Sequence, residues 1–275
     1  MSSIASISAA GTGRSLIQTL GLVGHQFSFD LRSFRRNRQA RFFTVILPVL
    51  FLVIFVGVFG NGTVRLPSGA RVKTSTYYVP GLTAMGIISA SYANLVVSIV
   101  TQRESGILKR RRAAPIPAWV LILGRSLVAV VTAIFMCVLL LAIGSVFYGV
   151  SLPTHTVPAV AAAAVLGALT FCSVAYAVAS FIGPVDSAQP IVQATLLPLY
   201  FISGVFVPQN QISSWLGNVA SVFPVRHLSN ALVAAYDPGT TGSGIQATDL
   251  AVLAAWAVGG LLVALARFSW MPRGR

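Results

Sequence analysis

Residues 42–60 read FFTVILPVLFLVIFVGVFG, nineteen consecutive positions without an ionisable side chain. A helix that crosses the hydrocarbon core of a bilayer needs about 20 predominantly apolar residues, so this stretch predicts a membrane span. Working outward, five more runs qualify: 79–101, 119–148, 157–182, 189–207 and 249–268. Arg125 stands near the start of the third, which puts the expected embedded part at 126–148 with the guanidinium reaching back to the interface. The fifth run contains Pro190 and Pro198, each of which frees a carbonyl that must find another partner. The expected fold class is therefore all-α: a polytopic membrane protein with six transmembrane helices, a cytoplasmic N-terminal segment over 1–41, a transmembrane domain over 42–268 and a short tail over 269–275.

Composition supports lipid as the solvent. Of 275 residues, 56% are hydrophobic and only 9% are charged, against about 25% charged in a soluble domain. The net charge of +14 would suggest nucleic acid in a soluble protein. Here the charges sit beside apolar runs, so no nucleic-acid partner is expected. Arg14, Arg32, Arg35, Arg36, Arg38 and Arg41 precede the first run. Arg103, Lys109, Arg110, Arg111 and Arg112 follow the second, Arg125 borders the third, and Arg267, Arg273 and Arg275 close the chain. The opposite side holds only Arg65, Arg71, Lys73 and Arg226. Fifteen cations against four place both termini in the cytoplasm, and an even number of spans requires the same. Residues 1–41 hold no long apolar run, so no secretory leader is expected. The arginine-, alanine- and glycine-rich composition points to a bacterial plasma membrane.

Two segments outside the runs are patterned. Leu16, Leu20, Val23, Phe27, Leu31 and Phe34 recur at helical spacing, while His25, Gln26, Arg32, Arg35 and Arg36 take other faces. This predicts an amphipathic helix on the cytoplasmic leaflet, its arginines among lipid head groups. Between the fifth and sixth runs, Ile212, Trp215, Leu216, Val219 and Val222 form one stripe, and Val225, Leu228, Leu232 and Ala235 form another beyond Pro224. Neither half can cross a bilayer. The pair either dips into the outer leaflet and returns, or lies flat as a cap on the bundle.

The loop after the second run reads Gln102-Arg103-Glu104-Ser105-Gly106-Ile107-Leu108-Lys109-Arg110-Arg111-Arg112-Ala113-Ala114-Pro115-Ile116-Pro117. A short helix parallel to the membrane, exposing Ile107 and Leu108 inside a charged rim, would suit docking into a groove of a soluble partner. A plain stop-transfer loop explains the four consecutive cations equally well.

The Arg-Glu-x-Gly-x-Leu-Lys-Arg…Pro-x-Pro pattern at 103–117 resembles the coupling-helix region of ABC type-2 transporter permeases, especially the daunorubicin-type drug exporters. Ser203-Gly204-Val205-Phe206-Val207-Pro208, then Trp215-Leu216 and Phe223-Pro224, is similar to the end of that family's fifth span and its re-entrant external helices. Arg110-Arg111-Arg112 departs from the commoner pattern, which has an apolar residue within this run. The resemblance implies an exporter of two membrane subunits, the second a copy of this chain or a related permease, with separate cytoplasmic ATP-binding-cassette subunits that carry ATP and magnesium. It assigns Arg103, Glu104, Ser105, Gly106, Ile107, Leu108, Lys109 and Arg110 to ATPase coupling. It assigns Phe206, Pro208, Ile212, Trp215, Leu216, Phe223, Pro224 and Arg226 to an external re-entrant cap. Spans one, two and five would line the interface between the membrane subunits. Tyr92, Asn94, Ser98, Thr195, Tyr200 and Ser203 are the candidate pathway-lining positions, although ordinary helix-to-helix hydrogen bonding, about 0.6 kcal/mol each, explains any one of them.

Other functions fit less well. A P-loop needs Gly-Lys-Ser/Thr; Lys73 follows Val72, Lys109 follows Leu108, and Gly11-Thr12-Gly13-Arg14-Ser15 lacks the lysine. A membrane-embedded enzyme or an ion-coupled transporter or channel would place ionisable groups at depth. Asp30, Glu104, Asp186, Asp237, Asp249, His25, His155 and His227 all fall in loops or at the ends of runs. Cys137 and Cys172 lie inside apolar runs without a second ligand at zinc-like spacing. No metal or bound cofactor is expected, and the transported molecule should be hydrophobic or amphipathic: a drug, a glycolipid or another lipid.

Overall fold

The computed structural model describes residues 16–59, 62–66, 68–113, 118–240, 242–269 and 271. Arg14, Arg273, Arg275 and the 115–117 end of the 103–117 motif lie outside them.

The N-terminal amphipathic stretch forms α1 (Leu16–Arg36). Asn37 then caps α2 (Arg38–Arg41), its side-chain oxygen accepting from the Ala40 amide at 3.0 Å. The chain passes through a π-helical turn, Phe42–Ile46, into α3 (Leu47–Phe59). A two-stranded antiparallel hairpin follows, β1 (Thr63–Arg65) with β2 (Arg71–Lys73), pairing Val64 with Val72. Three-residue strands fall below what alternation in the sequence can signal, and an all-helical expectation passes over them.

α4 (Thr74–Ile88), a second π-turn (Ser89–Ala93) and α5 (Asn94–Glu104) make one continuous helix. α6 (Ile107–Ala113) is the short helix within the 103–117 motif, and α7 (Ala118–Tyr148) and α8 (Val157–Ala179) are long apolar helices. α9 (Val185–Ile202) leads to a 3-10 turn, Gln209–Gln211, and then α10 (Ser214–Ala220), α11 (Pro224–Tyr236) and α12 (Ala247–Arg267).

Among the described residues five helices are long and apolar enough to cross a membrane: Arg38–Phe59, Thr74–Glu104, Trp119–Tyr148, Val157–Ala179 and Ala247–Arg267. The sixth expected run, α9, is helical but falls outside that group. Asp186, Gln189, Gln193, Pro190 and Pro198 dilute its 18 residues.

The second helix is the hub. Of its most apolar stretch 78% is buried within this one chain, against 17% for the first and the last. α8 packs along α12, α1 along α7, and α4 against α3, α7 and α11. Apolar side chains on α3, α7 and α12, such as Val53, Val58, Phe135, Val138, Leu262 and Leu265, point outward. In a soluble protein such a surface would aggregate; in a bilayer it needs no partner other than lipid.

One helix start differs from the expected run. The second long helix begins at Thr74 rather than 79, because a hydroxyl-rich first turn buries as well as an apolar one when neighbouring helices enclose it. The third begins at Ala118, within one residue of the expected run, and holds Arg125, which is 9% exposed and donates from Nη2 to Gln102 Oε1.

Candidate functional site

The first candidate region is the connection between α5 and α7. α5 ends at Glu104, and Gly106 takes φ +72°, with its amide bonded to the Arg103 carbonyl at 3.0 Å. That left-handed step reverses the chain into α6 and favours glycine. A Cβ there would meet nothing within 4 Å, so the glycine serves the backbone angle, not a close approach within this chain.

Arg103 is fully buried, which the sequence did not signal. Its Nη1 donates to the Ala179 carbonyl at 3.0 Å, and its Nη2 to the carbonyls of Ile182 and of Gly183, the latter at 3.1 Å. Nε meets Glu104 Oε1 at 2.7 Å. The last carbonyls of a helix have no intrahelical donor and carry partial negative charge. Arg103 satisfies them at the end of α8, binding the start of the connection to the α8–α9 turn. Ile107 is 40% exposed, while Leu108 is 3% exposed and belongs to the core. The expectation that both face outward is thus corrected for Leu108: from α6 it turns back onto the bundle. Ser105, Lys109 and Arg110 are exposed, and Glu104 is half-buried.

The second region is the segment after α9. Gly204, at φ +82°, turns the chain out of the helix, and Tyr77 Oη donates to its carbonyl at 2.6 Å. A Cβ on Gly81 would stand 2.8 Å from the Val205 carbonyl oxygen, so only glycine lets α4 approach this turn. Phe206 sits in a cluster with Phe51, Phe55, Tyr200 and Phe201 at centroid distances of 5.2–5.6 Å. Pro208 is buried; Ile212, Leu216 and Phe223 are half-buried; Trp215 is exposed.

The two helices of this segment differ sharply. α10 exposes Trp215 and Val219. α11 starts at Pro224, where a missing amide costs no intrahelical bond, and then buries almost its whole length against α4, α8 and α12. Arg226 Nη1 donates to the Gly217 carbonyl at 2.9 Å, tying α11 to α10. Two groups that the sequence left in loops form a further tie. His227 bridges Asp249 Oδ1 on α12, 2.6 Å from Nδ1, and the Ser221 carbonyl, 2.8 Å from Nε2. Their spacing of twenty-two residues carries no periodic signal.

The third region is a cleft of about 680 Å³ between α1–α2, α3, α5 and α9. The two π-turns lie side by side in its wall, where Asn94 Nδ2 donates to the fully buried Thr44 hydroxyl. Such turns recur at functional sites. Asn94, Ser98 and Tyr200 come together here. Tyr92, Thr195 and Ser203 are not among the cleft residues. Tyr92 is buried edge-on to Phe171, Thr195 is exposed and bonds back to the Ile191 carbonyl, and Ser203 is fully buried. Gln189 and Gln193, absent from the sequence-derived set, face the cleft from α9. Their i, i+4 spacing was the available signal.

The model of the family described as ABC-2 type transporter matches residues 26–236. That range runs from Gln26 in α1 to Tyr236, the last residue of α11, and takes in all three regions. Over 187 residues the chain is 26% identical to the inner membrane transport permease YadH of Escherichia coli strain K12, covering 67% of this chain and 72% of that one. It is 23% identical over 154 residues to the probable multidrug ABC transporter permease YbhR of the same strain, covering 56% and 42%. With its apolar helices, its lipid-suited surface and a family match over most of its length, the chain belongs to the ABC-2 type transporter family, as a multi-pass membrane permease.

Proposed function

We propose that this permease is the membrane subunit of an ATP-driven exporter for a hydrophobic or amphipathic substrate. In this reading α9 is a sixth span, both termini are cytoplasmic, and α10 and α11 form an external re-entrant cap. ATP and magnesium are held by a separate ATP-binding-cassette subunit, which docks on the 103–110 connection. A second copy of this chain, or a related permease, completes the pathway against the first, second and fifth spans.

The observation that carries the reading is the construction of the connection. Arg103 fastens it to the carbonyl end of α8 and to the following turn, while Ile107 projects outward from α6. A push on α6 is thereby transmitted to the α8–α9 turn rather than absorbed by a flexible loop. The largely buried α11 supports a cap at membrane depth, since a helix end there is tolerated only when enclosed by protein. Arg226 has the backbone-carbonyl partner such a position demands.

The test is co-expression with the ATP-binding-cassette subunit. Ile107→Asp should leave the permease folded, because the side chain is already exposed, yet lose co-purification and permease-stimulated ATP hydrolysis. Leu108→Asp should instead fail to fold. Normal assembly and hydrolysis with Ile107→Asp would overturn the docking assignment.

A further inference from the structure

The cleft between α2, α3, α5 and α9 has a chemical character that narrows its ligand. Six carboxamides line it: Asn37, Gln39, Asn94, Gln102, Gln189 and Gln193. None of its described lining residues is an Asp, Glu, Lys, Arg or His, although the chain as a whole carries a formal +14. Asp30 and Arg125 line an adjoining pocket of about 100 Å³. There they are already engaged, Asp30 accepting from Gln26 at 2.7 Å and Arg125 donating to Gln102.

Three of the carboxamides have spent a group internally: Asn37 on the Ala40 amide, Asn94 on Thr44 and Gln102 on Ser98 and Arg125. Gln39, Gln189 and Gln193 make no side-chain hydrogen bond among the described residues. Gln189 and Gln193 stand one turn apart on α9, half-buried. The lining is also mixed. The amides come from α2 and its cap, α5 and α9, and apolar side chains complete the lining: Leu47 and Phe51 on α3 and Leu197 on α9.

We propose that this cleft takes an amphipath with an uncharged, polyhydroxylated head, the head among the glutamines and the apolar body along α3 and α9. This rests on the reading of the chain as an exporter subunit whose first, second and fifth spans bound the pathway. A carboxamide both donates and accepts, as a hydroxyl does, so amide and polyol pair in either direction. An ionic head would be desolvated without a counter-charge, at a cost of several kcal/mol. The volume suits a ligand of small-molecule size. A glycosylated polycycle and a neutral glycolipid share this chemistry.

Leu197→Cys supplies a reporter: position 197 lines the cleft and is 47% exposed, while Cys137 and Cys172 are buried. The permease, in nanodiscs of uncharged lipid, is labelled with a maleimide in the presence of n-octyl glucoside, n-octyltrimethylammonium or n-octyl sulfate, each below its micellar concentration. The glucoside should slow labelling at concentrations about tenfold lower than either ionic probe, as expected of a site that pairs hydroxyls. Adding Gln189→Leu and Gln193→Leu should abolish that protection. Adding Gln193→Glu should transfer it to the ammonium probe, which a misfolded variant could not do. Equal protection by an ionic probe in the Leu197→Cys background would overturn the neutral-head assignment. No protection by any probe would overturn the cleft as a binding site. ATPase stimulation by the Leu197→Cys permease, measured separately, tells either failure from a failure of the exporter reading.

Discussion

Arg103 stands beside a glutamate at the end of a long helix, and in sequence it reads as one more cation of a basic loop. Its environment makes it the most consequential charge in the described chain. A guanidinium with no exposure is tolerated only because three carbonyls and a carboxylate surround it. Arg103→Met keeps the volume and leaves those carbonyls bare, so a loss of about 3 kcal/mol is expected, as for hydrogen bonds to a charged group. Arg103→Lys should recover part of it. Thermal unfolding in detergent checks this, with exposed Arg71→Met as control; equal midpoints for Arg103→Met and Arg71→Met would refute it. Gly106 makes a smaller, separable claim. An alanine there clashes with nothing but must hold φ +72°, which costs about 1 kcal/mol. Gly106→Ala should therefore lower the unfolding midpoint modestly and leave folding intact, and a midpoint equal to wild type would refute the left-handed step.

At the scale of elements, the packing of α12 on α8 depends on one of two adjacent glycines. A Cβ on Gly260 would stand 2.9 Å from the backbone carbon of Ser173 and from the Val174 nitrogen, whereas Gly259 has open space. Backbone cannot yield as a flexible side chain can. Where lipid offers no hydrophobic drive between helices, such close approaches carry much of the association. Gly260→Leu should separate α8 from α12 and collapse the yield of folded protein; Gly259→Leu should be tolerated. Monodispersity on size exclusion distinguishes them, and equal behaviour of the two variants would count against the interface. The same contrast explains α11. Its apolar stripe was legible in the sequence, but a stripe shows only that one face is buried. That nearly every residue of α11 is enclosed follows from its insertion among α4, α8 and α12.

At the scale of the molecule, the orientation proposed from the charge bias predicts opposite accessibilities at the two ends of the bundle. In intact cells an impermeant maleimide should label a cysteine at Val222, which is 62% exposed, and should not label one at Ile107. The reverse pattern would invert the topology. The family, the apolar helices and the short helix of the 103–117 motif were legible because each is written in contiguous residues: a run long enough for a bilayer, a cluster of like charges, a glycine before an apolar pair. Helix extents were legible to within a few residues; the largest difference, over 74–78, shows that polar residues inside a bundle continue a helix when neighbours enclose them. Only the tertiary structure decided which residues share a site. Arg103 meets Ala179, His227 meets Asp249, and Gln189 and Gln193 face Asn94 across a cleft while Tyr92 and Ser203 do not line it. Local sequence determines the solvent a segment prefers, because burial and helix propensity add up along the chain. Which side chains meet depends on helix rotation and crossing, which are settled by packing between segments distant in sequence.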